Sequence, residues 1–266
     1  MKAWRTDDEL SSFDDTLLHE PHVHHTLGLE AHGALVYSQP SSSSKPSPGI
    51  LLVHTAVGPQ DLFLRWRAEA LASRGYVVLI ADLLGDALGN GWDPEFAAPR
   101  RQVYVDERPL LGRRMRAALE ELKSLPNVDE TRLAAVGYCF GGRAVVDLLK
   151  IAPAEATGLR GVVSFHGVVD DVDPPEGDAA SAPVGRALLC HAENDPFVPR
   201  PRLDACLESL SRIGCVWELQ SFGGMAKHAF TNPAQALNPR TEFGYDPIAE
   251  RSSWAAAIFF LEDVLA

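Results

Sequence analysis

The chain has 266 residues, 46% of them hydrophobic and 23% charged, the make-up of a folded globular protein rather than a disordered or fibrous one. Its 24 Lys and Arg face 36 Asp and Glu, giving a formal net charge of −12 and a pI near 5.2. Such a field repels phosphate backbones and anionic lipid, which argues against nucleic-acid and membrane partners. The longest wholly apolar run, Trp254 to Leu261, is too short to span a bilayer. The N-terminus turns acidic (MKAWRTDDELSSFDD) where a secretory leader would be apolar, and no Asn-x-Ser/Thr acceptor occurs, so a cytoplasmic location is expected.

Residues 1–22 carry no clear period and read as an irregular arm before a single domain over 23–266. Val23 to Tyr37 holds two short apolar segments around Gly28 and Gly33, a hairpin or two edge strands. QPSSSSKPSPG (39–49) reads as a flexible surface turn, too short to separate domains. An uninterrupted series follows. Apolar runs ILLVH (50–54), YVVLIAD (76–82), RLAAVGY (132–138), GVVSFHG (161–167), RALLCHA (186–192) and CVWELQSF (215–222) have the continuous apolar character of strands buried on both faces. Between them lie helical patterns at Leu62 to Arg74, around Met115, Ala118, Leu119, Leu122 and Leu125, and at Gly142 to Ile151, Arg202 to Ile213 and Ile248 to Val264. Strand and helix in alternation predict an α/β protein, a doubly wound and mostly parallel sheet flanked by helices.

In open α/β sheets the ligand lies beyond the carboxyl ends of the strands, so the residues just after each apolar run matter most. After RLAAV comes Gly137-Tyr138-Cys139-Phe140-Gly141-Gly142, a G-x-nucleophile-x-G turn with cysteine where serine is usual. A nucleophile on a sharp strand-to-helix turn needs glycine at both flanks, where a Cβ would clash. The helix start behind Cys139 favours a thiolate through its free N–H groups. Two later strand ends supply an acid and a base: Asp195 after RALLCHA and His228 after CVWELQSF. The order nucleophile, acid, histidine is that of an α/β-hydrolase triad. The other three cysteines, Cys190, Cys206 and Cys215, lie in apolar stretches and read as core residues.

With GYCFGG, NDPFVP, HAFTNP and the C-terminal RSSWAAA helix together, the sequence resembles the dienelactone hydrolases of the α/β-hydrolase superfamily, from roughly residue 25 to the end. The resemblance implies that Cys139, His228 and Asp195 hydrolyse a small ester or lactone through an acyl-thioester. It also implies oxyanion donors at the backbone N–H groups of Phe140 and Ala56. No metal or organic cofactor is implied, and the partner is a small-molecule ester or lactone, with the chain a monomer or small homo-oligomer. There are two departures from the family pattern. Thr55 stands where the family carries a glutamate, which leaves His228 as the base. The two arginines that grip the dienelactone carboxylate fall on Gly85 or its neighbours and on Asn232, which favours a neutral or differently anchored ester.

Thr55, Tyr138, Trp92 and His166 are the candidate pocket residues. Three of them have a plainer reading: Tyr138 as core filling, Trp92 (with Phe96) as loop packing, and His166, like His54 and His191, as a tie between loop and sheet. Histidines 19, 22, 24 and 25 read as solvated side chains rather than metal ligands. A second functional class is a binding or redox-sensing module that keeps the fold and uses Cys139 as a responsive thiol.

Overall fold

A computed structural model describes residues 18–24, 32–38, 45–59, 61–84, 102–171 and 184–266. Among these residues eight strands form one sheet: β1 (Leu18–His24), β2 (His32–Ser38), β3 (Ser47–Val53), β4 (Val77–Ala81), β5 (Val128–Tyr138), β6 (Leu159–Phe165), β7 (Arg186–Ala192) and β8 (Trp217–Phe222). Their spatial order is β1-β2-β4-β3-β5-β6-β7-β8. The six strands from β4 to β8 run parallel, while β1 and β2 close one edge antiparallel. The chain builds from β3 toward one edge through β4 and then crosses to the other side at β5. The gap between the ends of β3 and β5 is therefore the topological switch point, where α/β sheets bind ligands.

The inner parallel strands are apolar on both faces because helices cover both; β8, expected to be buried likewise, is instead the edge strand, with Glu218 and Ser221 exposed and no residue fully buried. The i, i+3 and i+7 rows of α2 (Arg108–Ser124), α3 (Phe140–Ile151) and α5 (Arg200–Arg212) bury Met115, Leu122, Leu148, Leu203 and Leu210 against Leu51, Val53 and Leu133. On the other face α1 (Leu62–Ala72) and α6 (Pro247–Val264) bury Phe63, Leu64, Phe260 and Leu261 against Ile50, Leu52 and Val136. Arg67 fastens this second pair. Its guanidinium lies 4.3 Å from the rings of both Trp66 and Trp254 and bonds Glu250 at 2.5 Å. A short helix, α4 (Ala154–Thr157), precedes β6 and ends on Gly158 in the left-handed conformation. No helix among the described residues is long and apolar enough to cross a membrane.

Three strand starts differ by three residues or more from the sequence reading. The arm expected to run to residue 22 gives way to β1 at Leu18, which pairs with β2 from Leu18↔Ser38 to His24↔His32. Backbone pairing along one edge needs no apolar pattern and tolerates Pro21. The turn expected over 39–49 ends earlier, because β3 extends back to Ser47 and pairs Ser47↔Val128 and Pro48↔Asp129. That pairing also lengthens β5 by four residues beyond the expected start at 132, with a register shift between Pro48 and Gly49.

Candidate active site

Cys139 forms the turn between β5 and α3 at φ 56 and ψ −112, a backbone conformation that side chains rarely adopt. The glycines around it make that turn sterically feasible. A Cβ on Gly137 would fall 2.1 Å from the Gly141 oxygen, and one on Gly142 would fall 2.7 Å from the Gly167 Cα. The backbone of Cys139 is held at both ends: its N–H donates to Phe165 O at 3.0 Å and its carbonyl accepts from Val168 N at 3.2 Å.

The two later strand ends converge on the sulfur. His228 Nε2 lies 3.1 Å from Cys139 Sγ, and Nδ1 lies 2.7 Å from Asp195 Oδ2. Asp195 is fixed by its other oxygen, which accepts from Phe197 N at 2.9 Å. Backbone N–H groups of Phe140 and Ala56 are directed at the sulfur and favour its charged form. Sulfur thus faces two fixed amide donors and one imidazole nitrogen, surroundings that favour an anion. Burial opposes the thiolate, but His228 and the two amides outweigh it and hold the thiol below the ordinary cysteine range. Burial would likewise lower the imidazole, yet the Cys139 sulfur and the Asp195 carboxylate push His228 up to about 10. The contrast with the other cysteines is sharp, since burial pushes Cys206 up to about 11 and Cys215 up to about 12. These two and Cys190 are free and buried in the core, as their apolar surroundings suggest.

The loop after β3 that presents Ala56 is tied down from two sides. His54 is fully buried; its Nε2 accepts from Leu83 N at 3.1 Å, which leaves the proton on Nδ1 to donate to Thr55 O at 2.6 Å. Burial lowers this imidazole despite the nearby Asp82, so it stays neutral. Thr55, half-buried, has its hydroxyl 3.4 Å from Val57 N, so it shapes the same turn.

Of the remaining candidate pocket residues, His166 stands edge-on to His228 with ring centroids 5.3 Å apart and bonds Thr231 Oγ1 through Nε2 at 2.8 Å. Burial and the His228 charge hold its imidazole well below the ordinary range. Tyr138 lies away from the sulfur. Its ring is fully buried and stacks on Phe165 at 4.7 Å in the layer beneath α1 and α6. Strand alternation explains this, since Ala134, Val136 and Tyr138 share one face of β5 and Leu133 and Ala135 the other. Trp92 and Gly85 lie outside the described residues. Asn232 caps the 3₁₀ turn Pro233–Leu237 by accepting from Ala234 N at 3.0 Å. Two rings that the sequence did not single out flank His228: Phe197 at 4.8 Å and Phe243 at 5.4 Å. Phe197, two residues after Asp195, could have been found from that spacing; Phe243 is brought in by a backbone bridge to His228 that leaves no mark in the sequence.

A doubly wound sheet with these side chains gathered at its switch point is an α/β-hydrolase-type architecture. The model of the dienelactone hydrolase family matches residues 33–265, and the chain belongs to that family, a family of hydrolases. Among curated relatives, it is 33% identical over 162 residues to an uncharacterized protein of Caenorhabditis elegans, covering 60% of this chain and 98% of the other. It is 25% identical over 207 residues to the hydrolase tropI of Talaromyces stipitatus, covering 73% and 75%. Among solved structures, m3DLH superposes with a TM-score of 0.82 at 30% identity over 94% of this chain and 100% of its own. The dienelactone hydrolase-like promiscuous phosphotriesterase P91, from metagenomic libraries, gives 0.83 at 27% identity with the same coverage.

Proposed function

We propose that this protein hydrolyses a small ester or lactone with Cys139 as nucleophile, His228 as acid and base, and Asp195 as the group that orients the imidazole. The observation that carries the reading is the continuous contact from Asp195 Oδ2 through His228 to Cys139 Sγ, at 2.7 and 3.1 Å. The sulfur attacks the carbonyl carbon, and the carbonyl oxygen becomes an oxyanion that accepts from the N–H groups of Phe140 and Ala56. Collapse breaks the C–O bond. The leaving alkoxide takes the proton from His228 and departs as an alcohol, or stays attached when the substrate is a lactone. Water then gives a proton to His228 and attacks the thioester carbonyl; the sulfur leaves, and a carboxylic acid is released.

A neutral substrate fits best, because Asn232 spends its side-chain oxygen on a helix cap where the family resemblance places a carboxylate-gripping arginine. The likeness to a promiscuous phosphotriesterase makes a phosphotriester a useful second probe. The test is rapid mixing with a p-nitrophenyl ester of a short acid, followed by mass analysis of the quenched protein. The expected result is a burst of nitrophenol and an acyl adduct on Cys139, both abolished in Cys139→Ala. Absence of turnover with short esters, lactones and phosphotriesters, together with ready oxidation of Cys139 by peroxide, would favour the redox-sensing module instead.

A further inference from the structure

The contacts around Cys139 close into a ring that runs through residues the reaction does not use. Asp195 accepts from Phe197 N, and the Phe197 carbonyl accepts from Arg202 Nη1 at 3.1 Å. The same guanidinium reaches Asp170 through Nη2 at 3.6 Å. Asp170 lies in the segment after β6 that grips the nucleophile turn, where Val168 N donates to the Cys139 carbonyl. Asp170 itself is anchored from the nucleophile side, by Arg108 of α2 at 2.8 Å and by Arg143 of α3 at 3.5 Å. Those two arginines also share Asp147, at 2.7 and 3.6 Å. Three arginines and two carboxylates thus form one cluster, and within it Arg202 alone comes from the helix that follows the Asp195 loop.

We infer that Arg202 and Asp170 are positioning residues: a brace that fixes the spacing between the Asp195 loop and the Cys139 turn, and so keeps His228 in line with the sulfur. The inference rests on the hydrolase reading above. The planar fork of arginine suits the task, since two of its nitrogens serve two loops at once, which the single ammonium of lysine cannot do in the same geometry. The pair is long and its arginine is 37% exposed, so it adds little to stability. Its effect should therefore be on alignment, where small displacements of reacting groups are costly.

The experiment uses Arg202→Gln and Arg202→Lys in the full chain, with Arg200→Gln as control because Arg200, among the described residues, pairs with Asp204 and Glu193 on the surface and not with Asp170. Two readouts are taken: kcat and KM on a p-nitrophenyl ester, and the rate of Cys139 alkylation by iodoacetamide across pH, followed by mass. Among the described residues, the titratable and charged groups around Cys139 and His228 are Asp195 after β7, His191 within β7, His166 after β6, His54 after β3 and Arg143 of α3, and all remain in these variants. Expected are a fall in kcat of about tenfold with KM nearly unchanged in both Arg202 variants. The alkylation profile should shift toward higher pH in both, melting temperatures should stay close to the parent, and the control should show neither change. Wild-type kcat and alkylation in Arg202→Gln would overturn the brace. Wild-type behaviour in Arg202→Lys alone would overturn it too, by assigning the effect to charge. The alkylation arm needs no substrate, so a chain that hydrolyses nothing would defeat the hydrolase reading while the brace is still read.

Discussion

The carbonyl oxygen of Val53 lies 2.4 Å from the point where a Cβ on Gly141 would sit, so the end of β3 and the first turn of α3 touch backbone to backbone. That contact sets the distance between Ala56 N–H, three residues past Val53, and the sulfur whose charge it favours. Gly141→Ala must push the β3 loop away, since the Val53 and His54 backbone atoms it meets have no flexible end to swing aside. The expected result is a stability loss of about 2–4 kcal/mol and a kcat reduced by about 10² or more, as for removal of one oxyanion donor. Gly223→Ala, which meets nothing within 4 Å, should change neither stability nor rate. Equal behaviour of the two variants in denaturant titration and ester turnover would refute the argument.

Cys139 holds φ 56 although it is not a glycine, and such a position stores strain that the surroundings must offset. Comparing Cys139→Gly with Cys139→Ala isolates this term, because both remove the thiol and only one keeps a Cβ. Cys139→Gly should be the more stable by about 1 kcal/mol, and both should be inactive. Cys139→Ser should fold like the parent and lose most of its turnover, since a hydroxyl is a far weaker nucleophile in a site that stabilises a thiolate. Calorimetry and ester turnover on the three variants check this; an alanine variant as stable as the glycine one would remove strain from the account.

The opposite displacements of Cys139 and His228 set a pH window. The thiolate is lost as pH falls through the lowered thiol pKa, and the imidazolium is lost as pH rises through about 10. Between these limits the pair is charged. Alkylation of Cys139 should therefore rise with a midpoint below the roughly 8.5 of an ordinary thiol. In His228→Asn the midpoint should move up toward the ordinary range. A parent profile that rises through about 8.5 would mean that His228 and the amides do not favour the thiolate.

Much of this site could be read from the chain, because the residues that meet at the sulfur each follow a strand, and apolar runs mark most of those strands; the one before His228 is mixed, with Glu218, Gln220 and Ser221 in it. Cys139, Asp195 and His228, with the amides of Phe140 and Ala56, were reachable in that way. Tyr138 packs in the layer beneath α1 and α6, a placement that the two-residue alternation of β5 could have given beforehand. What could not be read are contacts between side chains of distant elements. Nothing local to Asp170 says that arginines from α2, α3 and α5 gather on it, and nothing local to Phe243 says that it pairs with His228. The two edge strands expected over Val23 to Tyr37 are β1 and β2, but β1 starts earlier, at Leu18, because edge pairing imposes no side-chain pattern.

Asp61 offers a test of stability that leaves the reacting groups alone. Its side chain caps α1, accepting from Phe63 N at 3.0 Å, yet it is only 6% exposed, and burial raises its carboxyl to about 6 against the capping bond that lowers it. An unfolded Asp61 titrates near 3.8, so the folded chain holds the proton more tightly and the cap's stability is complete below about pH 4. As pH rises through about 6 the charge must be carried in a buried place, at a cost of about 3 kcal/mol for a shift of this size. Asparagine caps helices as well as aspartate does and never ionises. Asp61→Asn should therefore be more stable than the parent at pH 7, by up to that amount, and equal to it at pH 4. Urea denaturation at the two pH values decides the matter: a gain of the same size at both, or a loss at pH 7, would show that burial of this charge is not what limits the stability of the loop leading into α1.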